Sequence, residues 1–214
     1  MSANLKISAA LVAVFVVGLA VFGVVRSQGG DDGPAAAEAA VVREDSHRLS
    51  TAEDGRVTLV EFLDFECESC LAAYPFVEEL RRVYDGRVTF VARYFPMPGH
   101  RNAENAAVAV EAAAEQGRFE DMYDRMYETQ SEWGESQDSQ AAVFRGLAEE
   151  LGLDMAAFDA AVDDPDTLER VLRDREDGIA LGVEGTPTFF LNGEKLTVDT
   201  TDEFIEQLDA ALAG

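Results

Sequence analysis

The two cysteines of this chain, Cys67 and Cys70, are its only ones, and they stand where a strand pattern gives way to a helix pattern. Upstream, Val57 to Phe65 is β-branched or aromatic over most of its length, as in a buried strand. Downstream, Leu71 to Leu80 follows a helical spacing. A thiol in the first turn of a helix faces unpaired backbone N–H groups and the positive end of the macrodipole, and both favour the thiolate. A second thiol three residues on lies on the same helical face, within reach of a disulfide. This is redox chemistry, with Cys67 the nucleophile and Cys70 the resolving thiol one turn deeper. A purely structural cross-link closing so short a loop restricts little of the unfolded chain. A zinc site would need two more ligands, and the only histidines are His47 and His100.

The order of the remaining patterns predicts an α/β fold. The first strand, 57–65, leads through the cysteines into a helix ending near Tyr84, and Asp85-Gly86 turns the chain into a second strand over 87–95. A strand–helix–strand unit of this length implies a parallel pair with a right-handed crossover. Helix-period sequence then runs over 101–116, 118–130, 139–151, 155–162 and 166–181. After Thr186-Pro187, Asn192-Gly193 between two short apolar runs signals a hairpin. A last helix begins near Thr200 and Thr201, so the order is βαβ, a helical block, ββα.

Three segments are expected. Ile7 to Val25 is free of charge and would span about 28 Å as a helix, enough for a hydrocarbon core. It reads as an uncleaved membrane anchor over residues 1–26, because a cleaved signal would have a shorter apolar region and a small-residue site close behind it. Lys6 and the terminal amine favour a cytoplasmic N-terminus, which places the rest outside the membrane, where a dithiol can be kept oxidised. Residues 27–48, rich in Gly, Ala and acids, read as a flexible linker, and 49–214 as one domain with its helical insertion at about 100–182. All 42 acidic side chains lie beyond residue 26, and the chain's net charge is −25. Such a surface argues against nucleic acid as a partner and suits a salty exterior. No cofactor and no metal site are expected.

The stretches Val60 to Cys70, Arg93 to His100 and Val183 to Gly193, with the helix spacing between them, resemble a thioredoxin fold carrying a helical insertion. In particular they are similar to the disulfide-oxidoreductase A (DsbA) family of bacterial cell envelopes, and to its membrane-tethered Gram-positive and archaeal members. That resemblance implies an extracytoplasmic oxidoreductase that introduces disulfides into secreted proteins, recycled by a quinone-linked membrane partner. It also implies a cis peptide bond before Pro187, beside the cysteines, with the backbone of Thr186 pairing with an extended client; the alternative is an ordinary strand-initiating proline. The family usually places Pro and often His between its cysteines, whereas Glu68 and Ser69 stand here, so its reduction potential does not carry over. The same site run backwards would serve a reductase or isomerase. A thioredoxin-fold module that merely binds peptides is the alternative of another class.

Other residues carry separate expectations. Asp64, Glu66 and Glu68 crowd Cys67 and should oppose its ionisation. Glu66, Glu68 and Ser69 are thus candidate tuners of the couple. By strand alternation Glu61 shares a face with Leu59, Leu63 and Phe65, where a buried carboxylate near Cys70 would relay a proton; relatives hold a glutamate there. The alternative is a partly solvated acid near Arg93 or another base. His100 follows Pro98-Gly99 and reads as a cap or turn residue rather than a catalytic one. Trp133 with Tyr123, Met126 and Tyr127 reads as core or lid packing, or else as part of a client groove. No calcium loop spacing occurs among the acids.

Overall fold

A computed structural model of the chain describes residues 39–214. The expected anchor, and residues 27–38 of the expected linker, lie outside the described residues. Five strands form one mixed sheet: β1 (His47–Ser50), β2 (Thr58–Leu63), β3 (Thr89–Tyr94), β4 (Thr188–Leu191) and β5 (Glu194–Lys195). Their spatial order is β1-β3-β2-β4-β5, with β2 and β3 parallel and every other pairing antiparallel. Helix α1 (Glu68–Val83) crosses between β2 and β3, as a parallel pair requires. The helices α2 (Ala103–Ala114), α3 (Phe119–Trp133), α4 (Ala141–Glu150), α5 (Met155–Asp163) and α6 (Pro165–Ala180) follow, and α7 (Thr201–Ala213) closes the chain. The Asn192-Gly193 turn has φ of 50° and 88°, the left-handed pair that a tight hairpin demands.

Residues 39–48, expected as the end of a linker, pack on the domain instead. Val41 and Val42 lie against an apolar cluster, and β1 pairs with β3 in the register His47↔Ala92. The sequence hid this strand because His-Arg-Leu-Ser is short and polar and shows no alternation.

The sheet separates two cores. Leu59 and Leu63 face the larger one, shared with α1, the helical block and α7. Val60 and Phe62 face the smaller one with Phe95, Val183 and Phe190. On that second side Arg93 is fully buried and reaches Asp174 at 2.8 Å and Asp177 at 2.6 Å. It also donates to the carbonyls of Ala40 and Val41 at 2.8 Å, which straps the incoming chain to the sheet.

Candidate active site

At the end of β2 the chain turns through Asp64 to Glu66 and delivers Cys67 as the N-cap of α1, with φ −75° and ψ 122°. The Cys67 N–H donates to the Asp64 carbonyl at 3.2 Å, and the Cys67 carbonyl accepts from Leu71. Gln130, buried on α3, locks the turn from outside by donating to the carbonyls of Phe65 at 2.7 Å and Cys67 at 3.0 Å. The sequence left a trace of this contact in a lone amide on the apolar stripe Met126, Tyr127, Trp133.

Cys67 and Cys70 are unbridged, with 8 % and 1 % of their surfaces exposed. The Cys67 thiol is held down at about 5. A hydrogen bond from the Cys70 thiol is the main cause; the Thr186 side chain and the N–H groups of Cys70 and Ser69 act in the same direction, against burial. The Thr186 carbonyl, 3.4 Å from Sγ, would hold the thiol proton, but the Thr186 hydroxyl, buried without another partner, favours the anion. Cys70 is pushed far up, first by burial and then by Cys67 and the charge of Glu61. One thiol is therefore anionic at neutral pH and the other is not.

The expected opposition of the acids meets a different arrangement. Asp64 is turned away into three hydrogen bonds, and Glu66 is buried with Oε2 accepting from the Asn102 N–H at 2.6 Å. Glu68 is exposed and interacts chiefly with Glu135, which lowers its own pKa and raises that of Glu135. Ser69 acts through its backbone N–H.

Glu61 is buried on the Leu59 and Leu63 face, opposite Ala92 and Phe189 of the neighbouring strands. Burial, then the charges of Glu78 and Cys67, push it up to about 8. Arg93 lies across from Phe62, on the other face, so the pairing with Arg93 does not occur. The Thr186–Pro187 bond is cis. Pro187 opens a groove of about 600 Å³ lined by Ala73, Phe76, Phe189, Leu196, Val198 and Phe204. Tyr123, Met126, Tyr127 and Trp133 are buried in the larger core, as the packing reading expects. His100 does not cap α2, whose N-cap is Asn102; its Nδ1 meets Asp64 at 2.6 Å. Among the described residues no group of three or more potential ligands is placed to hold a metal.

A family model described as Thioredoxin matches residues 47–210. The chain belongs to the thioredoxin family. Its fold is that of DsbA-like oxidoreductases within this family. It is similar to a thioredoxin-like oxidoreductase from Silicibacter pomeroyi, with a TM-score of 0.67 and 23% identity, covering 84% of this chain and 99% of that one. It is similar to BdbD from Bacillus subtilis at a TM-score of 0.67 and 21% identity, covering 77% and 92%. Wolbachia pipientis alpha-DsbA1 superposes with a TM-score of 0.69 at 17% identity, covering 80% and 93%. Among curated proteins, a Na(+)/H(+) antiporter NhaA from Herminiimonas arsenicoxydans is 34% identical over 91% of this chain, which spans only 30% of the antiporter's length. A second, from Salinispora tropica, is 37% identical over 72% of the chain and 23% of its own length.

Proposed function

We propose that this protein is a membrane-tethered, extracytoplasmic thiol–disulfide oxidoreductase that oxidises cysteine pairs in secreted proteins. The observation that carries the reading is the split between the two thiols, with Cys67 held down at about 5 and Cys70 pushed up. Stabilising the thiolate stabilises the reduced form, so the disulfide is eager to be reduced and oxidises its client.

The steps follow from that split. A client thiolate attacks Cys67 Sγ and displaces Cys70 as a thiolate, which takes a proton; Glu61, held near neutrality, is the proposed source. A second client thiolate then attacks the client sulfur of the mixed disulfide, and Cys67 leaves as a stable thiolate. Thr186 and Pro187, beside the apolar groove, are the proposed surface for an extended client segment. A quinone-linked membrane protein is the proposed reoxidant. The uncharged stretch Ile7 to Val25 supports the tether. The curated antiporters match over only 30% and 23% of their own length, and no described helix is long and apolar enough to cross a membrane.

Iodoacetamide should alkylate Cys67 of the reduced protein with a midpoint near pH 5 and spare Cys70. Cys70→Ala should accumulate mixed disulfides with a dithiol peptide, and Cys67→Ala should lose turnover entirely. Function in cells that survives Cys67→Ala would favour the peptide-binding module. A cysteine pair that is mainly reduced in cells, with a low potential, would favour the reductase direction.

A further inference from the structure

The loop after β3 is bonded across the junction that presents Cys67. The fully buried Asp64 carboxylate accepts from the N–H of Glu66 at 2.8 Å, from the N–H of Met97 at 2.9 Å and from Nδ1 of His100 at 2.6 Å. Its carbonyl meanwhile accepts from the Cys67 N–H at 3.2 Å. Two residues past His100, the Asn102 N–H reaches Glu66, the residue just before the thiol. One residue, Asp64, therefore ties His100 through its carboxylate and Cys67 through its carbonyl to the same turn.

The chemistry of the ring follows. Asp64 occupies Nδ1, so the proton that the imidazole gains or loses sits on Nε2, which has no hydrogen-bond partner among the described residues, on a side chain 30% exposed. The titratable groups that act on this ring are Asp64, Cys67, Glu66, Glu68 and Glu135, all anionic or able to become so. Burial pulls the ring's pKa down, but Asp64, the Cys67 thiolate and Glu66 together hold it above its usual value. A cation set among these groups is where a thiolate needs one, because neither Glu68 nor Ser69 can supply it.

We infer that His100, clamped by Asp64, is a positioning residue that places a positive charge beside the Cys67 thiolate and gains or loses that charge's stabilisation as the cysteine pair changes redox state. The inference rests on Cys67 being the exchanging thiol. Oxidation of a client dithiol moves two electrons to the Cys67–Cys70 disulfide and frees two protons. One goes to the Cys70 sulfur and the other to solvent or to Nε2 of His100, while Cys67 stays a thiolate. Coupling of this kind is reciprocal: whatever His100 contributes to the thiolate, the thiolate contributes to the protonated ring.

That reciprocity permits a test on the unaltered full-length protein, whose two histidines are separately readable by NMR of their ring C–H protons. Between the dithiothreitol-reduced and the oxidised-glutathione-treated protein, the His100 midpoint should fall by about half to one pH unit. His100→Gln should raise the Cys67 thiolate midpoint, read by absorbance at 240 nm, by roughly three- to tenfold in equilibrium constant, and make the reduction potential more negative. His100→Arg, which keeps a cation, should recover most of both. A His100 midpoint identical in the two redox states, or a potential unmoved in a folded His100→Gln protein, overturns the inference. A parent protein that shows the His100 shift but oxidises no dithiol peptide would instead sink the enzymatic reading and leave this charge coupling standing.

Discussion

Glu61 is a costly side chain near the thiols. Its folded-state pKa of about 8 stands above the ordinary 4.5, so the folded protein binds the proton more tightly than the unfolded chain does. The stability linked to that proton is fully present below about 4.5 and is lost as the pH rises through about 8. At pH 7 the penalty is on the order of 3 kcal/mol. Glu61→Gln should therefore stabilise the protein by about 1–3 kcal/mol at pH 7.5, the amide's own burial taking back part of the gain, and the advantage should vanish near pH 4.5. Urea unfolding at the two pH values checks this, and an equal effect at both would show that Glu61 is not buried as a neutral acid. The same variant should slow the release of Cys70, because its thiolate loses the nearest proton.

At the scale of elements, α6 shows how packing overrules propensity. A Cβ on Gly178 would stand 2.6 Å from Cδ2 of Phe95 and 3.1 Å from Phe62, both rings of the smaller core. Gly178→Ala should thus destabilise by about 1–3 kcal/mol, although alanine is the better helix former. Gly146 on α4 has open space at its Cβ position, and Gly146→Ala should stabilise by about 0.5–1 kcal/mol. Melting temperatures of the two variants, moving in opposite directions, test the placement of both helices; a rise for Gly178→Ala would contradict the contact with Phe95. Helix α6 also holds Asp174 and Asp177 against Arg93 and Arg43, so one helix face secures both the sheet and the chain entering it. Removing one buried partner leaves the other charge uncompensated, which makes this cluster far less tolerant than exposed pairs such as Arg145 with Asp159.

For the whole molecule, 42 acids against 17 basic side chains mean that folding gathers like charges together. At about 0.1 M salt this repulsion acts over about 10 Å, and near 1 M salt over about 3 Å. Raising sodium chloride from 50 mM to 1 M should therefore add about 1–2 kcal/mol of stability, or about 2–8 °C in melting temperature. A melting temperature that falls over this range would mean that the surface ion pairs outweigh the net repulsion.

How far each feature was legible depends on how local its cause is. The strand-to-helix junction at Cys67, the Asn192-Gly193 hairpin and the five helices after β3 were readable in advance because period, turn chemistry and helix breakers act within a few residues. Glu61 was placed on its face by alternation alone. Strand β1 and the strap at Ala40 and Val41 were not readable, since what orders them is Arg93 and the edge of β3, some fifty residues away. Nor did the sequence pair Asp64 with His100, or bring Gln130 to the turn before Cys67. Such contacts exist only once the sheet has set which loops emerge at the same end. The sequence by itself determined which residues can form strands, turns and a nucleophilic thiol. Only the tertiary structure decided which charges surround that thiol, because Coulomb forces and hydrogen bonds act through space and take no account of position along the chain.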